Sequence, residues 1–247
     1  MTREFAIRKE VELRAAPEQV WEAIATGPGI DAWFMGPHTV EPGEGGKIRL
    51  EIGEYTDEAT ITAWEPGTRL AYRGGEQPDG TFHAFEYLIE ATDGGTSVLR
   101  FVHHGFAGDD WTAEYDDMTA RGWELYLHTL GQYLEHFPGR PATFVGADGP
   151  ESSAAPEAWA VLLRALGLPG TPAAGARVRL AVTGLPPIDG VVDYTAPSYL
   201  GIRTTAALYR FHGRSDIGMS VGVGHHFFGP APDSADSWRG WLSATLG

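Results

Sequence analysis

The chain contains no cysteine and no asparagine among its 247 residues. These two absences exclude disulfides, thiolate metal sites, cysteine nucleophiles and N-glycosylation. Basic side chains are also few, because 18 Lys and Arg stand against 33 Asp and Glu, which gives a formal net charge of −15. This excess of acid repels nucleic acids and anionic membranes, so we expect neither as a partner.

Long apolar runs are missing as well. No stretch approaches the roughly 18 apolar residues of a membrane span, and residues 1–14 carry charge throughout, unlike a secretory signal. We therefore expect a cytoplasmic protein. Hydrophobic residues make up 43% of the chain and charged residues 21%, which is typical of a folded globular protein. The length suits one large domain or two small ones.

Periodicity in the first half predicts an α+β fold. Residues 4–13 alternate as a strand does, and a helix begins at Pro17 and stops at Gly27-Pro28-Gly29. A second short helix is expected from Ile30 to Phe34. The segment 109–137 has one apolar and one polar face, which predicts a long helix. Turn residues separate five further predicted strands, at 45–52, 57–64, 68–74, 82–91 and 96–104.

This order of elements has a geometric consequence. An antiparallel sheet followed by a long helix buries one face of the sheet under that helix. If the sheet is curved, space remains between sheet and helix unless large side chains fill it. The pattern therefore predicts a ligand pocket between them.

Four segments carry a resemblance to a known family. They are PEQVWEAI at 17–24, AWF at 32–34, GKIRL at 46–50 and WEPGTRLAY at 64–72. Together they resemble the SRPBCC (START-like, helix-grip) superfamily, and within it the branch of the activator of the ninety-kilodalton heat-shock-protein ATPase. The resemblance covers residues 1–137. It implies a curved antiparallel sheet wrapped around a long C-terminal helix, and a binder of small hydrophobic molecules.

The second half repeats parts of the first in the same order, so we predict three regions. They are a helix-grip domain at 1–137, a Pro/Gly/Ser-rich linker at 138–155 and a degenerate second copy at 156–247. We expect this copy to lack the first strand and the second short helix, to end in a short helix near 235–246, and to pair with the first domain. Five segments match: 156–159 with 17–21, 175–180 with 45–50, 196–203 with 65–73, 221–226 with 99–104, and 239–241 with 121–123.

Aromatic residues form the candidate binding site of the first domain. Taken singly, each is better explained by core packing, whereas together the inward-facing ones should line the pocket. Tyr72, Tyr87, His103 and Tyr126 would supply polar tips that orient a ligand, and Trp111 belongs to the same aromatic set. The candidate ligand-binding residues are Trp33, Phe34, Tyr72, Phe85, Tyr87, Phe101, His103, Trp123 and Tyr126.

Signals for catalysis and cofactors are weak, so we assign no catalytic residue, no metal and no cofactor. GMSVG at 218–222 fits G-x-S-x-G, but a strand pattern follows it where a nucleophile elbow needs a helix. His83, His103 and Glu86 could converge, yet no metal-binding spacing supports a site. The glycine clusters lack the phosphate-binding pattern GxxxxGK[ST].

Two other functions stay open. One is a protein-interaction module that resembles the co-chaperone activators, with a protein as partner. The other is an enzyme similar to polyketide cyclases or hydrolases, in which His103 would act with Glu86 or Tyr87 as acid and base.

Overall fold

The computed structural model describes residues 2–52, 55–108 and 112–247. The chain divides between Pro141 and Ala142 into two compact units, which we call the first and the second unit. None of the helices among the described residues is long and apolar enough to cross a bilayer.

The first unit is a single antiparallel sheet with helices. The sheet has the order β1-β7-β6-β5-β4-β3-β2, so the predicted mixed α+β class with a large antiparallel sheet is confirmed. Its elements are β1 (Arg3–Leu13), α1 (Pro17–Ala25), α2 (Gly27–Asp31), β2 (His38–Val40), β3 (Lys47–Ile52), β4 (Tyr55–Glu65), β5 (Arg69–Gly74), β6 (Phe82–Thr92), β7 (Thr96–Ala107) and α3 (Ala113–His136).

The second short helix lies earlier than the sequence pattern predicted. Thr26 caps it, because its Oγ1 accepts a hydrogen bond from the Gly29 N–H at 3.0 Å. Pro28 occupies the first turn, where a missing N–H costs nothing. Gly27-Pro28-Gly29 therefore begins α2, and the prediction of a helix from Ile30 to Phe34 is wrong. The prediction also omitted β2.

Helix α3 covers the inner face of the sheet. Thr112 caps its start, and the indole ring of Trp123 lies 4.2 Å from the Phe101 ring on β7. The helix was predicted at 109–137, of which residues 109–111 lie outside the described part of the chain. Ion pairs join β1 and the residue that follows it to α3: Arg3 with Asp116, Lys9 with Glu124, and Arg14 with Glu135.

The second unit is also one antiparallel sheet with helices, in the order β8-β13-β12-β11-β10-β9. Short 3₁₀ turns lie at Glu151–Ala154 and Ser215–Ile217. Its elements are β8 (Thr143–Asp148), α4 (Ala158–Ala165), β9 (Arg177–Leu180), β10 (Ile188–Ala196), β11 (Tyr199–Arg203), β12 (Ala207–His212), β13 (Gly222–Phe227) and α5 (Ala235–Leu246).

Strand β8 corrects two predictions. It lies within 138–155, which was predicted to be a linker, and it supplies the first strand that the second region was expected to lack. Val145 faces His225 of β13 in the ladder, and both Val145 and Ala147 are buried. The alternation in TFVGAD is short, and the surrounding Pro, Gly and Ser obscured it.

The two sheets have several features of strand pairing in common. In each unit the first strand pairs antiparallel with the last. Gly45 (φ +83°) donates its N–H to Ile61 O at 2.9 Å, and Gly175 (φ +84°) donates to Val192 O at 2.8 Å. A β-bulge follows Ile61 in β4, and another follows Val192 in β10. Each turn uses a left-handed glycine, a conformation that other residues rarely adopt.

A buried ion pair spans the sheet of the second unit. Arg210 on β12 donates two hydrogen bonds to Asp193 on β10, at 3.1 and 2.7 Å, and both side chains are only 3% exposed. The pair crosses β11 at Gly201, where a Cβ atom would come within 2.8 Å of Arg210 Nη1. Glycine at 201 therefore makes room for the pair.

Candidate functional site

Strand alternation brings the candidate residues to the inner face of the first sheet. Phe85 of β6 faces Tyr72 of β5 on one side and His103 of β7 on the other, and Tyr87 faces Phe101. Since side chains two apart on a strand share a face, these residues form one aromatic layer beneath α3.

The nine candidate residues form one continuous network of ring contacts. Five of them are buried, whereas Phe34, Tyr72, Phe85 and Tyr126 keep part of their surface exposed. The buried rings pack against one another between sheet and helix, and a ligand pocket in that space remains a prediction. Trp111, the further aromatic residue of this set, lies outside the described residues. The contacts include Trp33–Phe34 at 5.5 Å, Phe34–Tyr126 at 4.6 Å, Phe85–His103 at 4.4 Å, Tyr72–Phe85 at 5.0 Å and Tyr87–Phe101 at 5.0 Å.

Phe34 closes the helical side of this layer. It follows α2, and its ring lies flat on Trp123 with centroids 5.3 Å apart and planes 6° apart. The neighbouring Trp33 anchors the segment, because its indole N–H donates to the Ala23 carbonyl of α1 at 2.9 Å. Two adjacent side chains, Trp33 and Phe34, thus attach this segment to α1 and to the middle of α3.

A chain of hydrogen bonds runs through the buried histidine. The Trp123 indole N–H donates to His103 Nδ1 at 3.1 Å. Because an indole nitrogen can only donate, His103 must carry its proton on Nε2, which then donates to His83 Nδ1 at 2.9 Å. Burial lowers the pKa of His103 to about 3 and also lowers the pKa of His83. Both rings are therefore neutral near pH 7.

The two tyrosines of the layer are also neutral. The hydroxyl oxygens of Tyr72 and Tyr87 lie 3.4 Å apart. Burial raises the pKa of Tyr72 to about 12 and raises that of Tyr87 further above its ordinary value. Neither hydroxyl can act as a base near neutral pH, but each can exchange hydrogen bonds with a polar atom of a ligand.

The hypothetical acid–base pair of His103 with Glu86 is wrong. Glu86 lies on the opposite face of β6, where its carboxylate accepts a hydrogen bond from Arg69 Nε at 2.8 Å. The hydroxyl of Tyr87, the other suggested partner, bonds to Tyr72.

Among the described residues there is also no group of three side chains able to hold a metal ion.

The second unit has a related buried contact. The Trp238 indole lies 4.4 Å from the His225 ring, edge to face, much as Trp123 lies against His103. By this contact Trp238 resembles Trp123, whereas the sequence comparison matched Trp241 with Trp123. Trp238 was missed because both tryptophans fall on the buried face of α5, and only the contact with β13 distinguishes them.

Comparisons with known proteins relate the first unit to one family. Residues 14–135 match the family model described as Activator of Hsp90 ATPase homolog 1-like protein. This match supports the superfamily resemblance for the first unit and does not reach the second. No curated protein sequence matches the chain.

Solved structures similar to this chain include three bacterial proteins. The Aha1 dimer from Colwellia psychrerythraea has 20% identity and a TM-score of 0.44, over 53% of this chain and 96% of that one. A Bacillus halodurans protein has 25% identity and a TM-score of 0.45, over 54% and 99%. A Staphylococcus aureus protein of unknown function has 19% identity and a TM-score of 0.47, over 54% and 95%.

Proposed function

We propose that the first unit binds a small, flat hydrophobic molecule without catalysing a reaction on it. One observation carries this proposal: four aromatic residues, Phe34, Tyr72, Phe85 and Tyr126, keep part of their surface exposed around the buried Trp123. Aromatic rings that are left partly uncovered over a packed core offer stacking surface to a planar ligand.

The chemistry of the site defines the ligand further. The rings and imidazoles that surround it are neutral near pH 7, so a charged ligand would lose its hydration without finding a counter-charge. The Tyr72 hydroxyl can recognise one polar atom. Because the buried rings pack closely, the ligand lies against the aromatic layer. The Phe34 ring would have to move before a ligand could reach Trp123.

A titration with 2-naphthol tests this proposal on the full chain. We expect the indole N–H signal of Trp123 to shift in NMR spectra of the ¹⁵N-labelled protein. Phe85→Leu should raise Kd about two- to thirteenfold, since aromatic stacking contributes about 0.5–1.5 kcal/mol beyond burial. Phe82→Leu is the matched control, because Phe82 lies on the same strand but contacts Phe106 and Arg73 instead. A Trp123 signal that stays in place, or equal effects of the two variants, would contradict ligand binding here.

A second candidate is a protein-interaction module for a chaperone of the Hsp90 class. The filled interior favours it, because packed rings leave little volume for a ligand, and the family model is named for an activator of that chaperone's ATPase. The test measures the ATPase rate of a purified Hsp90-class chaperone with and without this protein, at low and high salt. Stimulation that weakens with salt supports the candidate, since an acidic partner binds largely through charge. An unchanged rate rejects it.

We also propose that the second unit arose as a shortened copy of the first. The shared strand order, the left-handed glycines at 45 and 175, and the bulges after Ile61 and Val192 support this origin. The copy lost the α2–β2 segment and half of the last helix, which has 12 residues against 24 in the first unit.

A further inference from the structure

Residues in equivalent places of the two units can be identified from the strand pairing of each sheet. His103 and His225 each stand on the last strand, opposite Ile7 and Val145 of the first strand. Trp123 and Trp238 are the last-helix tryptophans that contact these histidines. Three residues later on the same helices stand Tyr126 and Trp241, whose rings lie 6.1 and 5.7 Å from the preceding tryptophan.

In the first unit a short segment seals the surface beside Tyr126. The Phe34 ring lies 4.6 Å from Tyr126, edge to face. Two residues on, Gly36 lies so close to β3 that a Cβ atom would fall 2.5 Å from Leu50 Cδ1 and 2.8 Å from Ile52 Cγ1. The segment that contains α2 thus wedges between the β3–β4 hairpin and α3.

The corresponding segment of the second unit contains no helix, and its Leu166 and Leu168 are buried in the core. Between the end of α4 at Ala165 and the start of β9 at Arg177 there is neither helix nor strand. At the corresponding place an open depression of about 550 Å³ lies between α4, the β9–β10 turn and α5. Trp241, of which only 7% is exposed, contributes to one wall, Leu185 and Thr183 line the turn, and Gly240 and Ala244 line the helix.

The composition of this depression indicates the kind of molecule that fits it. All the residues that line it are uncharged, and hydroxyl groups of Thr183, Ser237 and Thr245 are interspersed with apolar surface. Its volume is in the range of small-molecule sites. In the first unit the equivalent place holds the ring of Phe34.

We propose that the second unit binds a small neutral aromatic molecule in this depression, with the ring of the ligand packed on Trp241 where Phe34 packs on Tyr126 in the first unit. This site is separate from the one proposed for the first unit and does not depend on it. A neutral ring replaces water on an aromatic wall without burying a charge, and the hydroxyl groups can accept or donate one hydrogen bond to a polar substituent.

The experiment is a 2-naphthol titration of the ¹⁵N-labelled full chain, followed by the indole N–H signals. Trp241→Phe identifies the signal of Trp241. We expect that signal to shift with saturation, and Gly240→Leu to raise the Kd that it reports at least tenfold. A Cβ atom added at Gly240 would meet no other atom within 4 Å, and leucine favours helix, so this variant should melt no lower than the parent.

Two further variants make the outcome decisive. Ala244→Leu fills the same depression from the next turn of α5 and should act like Gly240→Leu. Gly122→Leu is the matched control, because Gly122 also has open space around it on α3 of the first unit; it should leave the Trp241 response unchanged. The proposal is overturned if the Trp241 signal does not saturate, or if both filling variants bind as the parent does. The signals of Trp123 and Trp241 report the two units separately, so failure at one site is distinguishable from failure at the other.

Discussion

Asp193→Ala is expected to lower the free energy of unfolding of the second unit by about 3–5 kcal/mol, because it leaves the Arg210 guanidinium buried without its counter-charge. The two side chains are 3% exposed and share two hydrogen bonds. A loss of this size is a large fraction of the roughly 5–15 kcal/mol that stabilises a typical domain. Urea unfolding followed by tryptophan fluorescence measures it, since Trp238 is fully buried in this unit.

The same strand provides a matched control. Asp189 also pairs with an arginine, Arg179, but these side chains are 61% and 69% exposed. Asp189→Ala should therefore change the stability by no more than about 0.5 kcal/mol. Replacing both members of the buried pair, with Asp193→Leu and Arg210→Met, should recover most of the loss, because no buried charge then remains. Equal effects of the two aspartate variants would show that burial does not determine the contribution of the pair.

Acidification is expected to destabilise the second unit well before its carboxylates titrate. Burial, with the nearby positive charges of other histidines and Arg210, holds the pKa of His225 well below its ordinary value, and burial lowers the pKa of His212 to about 3. Between about pH 6.5 and 4.5 the unfolded chain binds protons on these histidines and the folded unit does not. These histidines therefore leave the free energy of unfolding unchanged above about pH 6.5. Below that pH each of them lowers the free energy of unfolding by about 1.4 kcal/mol per pH unit.

Urea unfolding at half-unit steps from about pH 7.5 to 4.5 measures this slope. His225→Gln should lower stability at neutral pH but flatten the decline, because one of the protonation sites of the unfolded chain is removed. His104→Gln is the control, since that histidine is exposed on β7 of the first unit and its replacement should leave the slope unchanged. Stability that stays constant from about pH 6.5 to 5 would contradict the neutral, buried state of these histidines.

The sequence predicted the elements whose signal is local. Alternation located β1, and the helical period located α3 to within one residue at its C-terminal end. Helix α2 was misplaced because its start depends on the Thr26 side chain capping Gly29, which turns a glycine–proline stretch from a stop into a beginning. Strand β8 was missed because six residues carry little periodicity, and its pairing partner β13 lies about eighty positions later.

The aromatic layer was predictable as a set of residues, whereas the volume beneath α3 was not. Period-two alternation along β7 was enough to place Leu99, Phe101 and His103 on one face. Whether the space under α3 is open depends on how the volumes of many side chains sum, and residue spacing does not contain that information. Trp238 and Trp241 lie three residues apart on α5, so their side chains differ in direction by only about 60° around the helix axis. The apolar pattern of α5 could not resolve that difference.

The pairing of the first strand with the last in each sheet bears on how the protein emerges from the ribosome. Lys9 of β1 faces Phe101 of β7, so the nascent strand waits for about ninety further residues before its partner exists. At about 5–20 residues per second that delay lasts roughly 5–20 seconds. During this delay β1 has no partner strand, and its acidic and basic side chains oppose pairing with other chains.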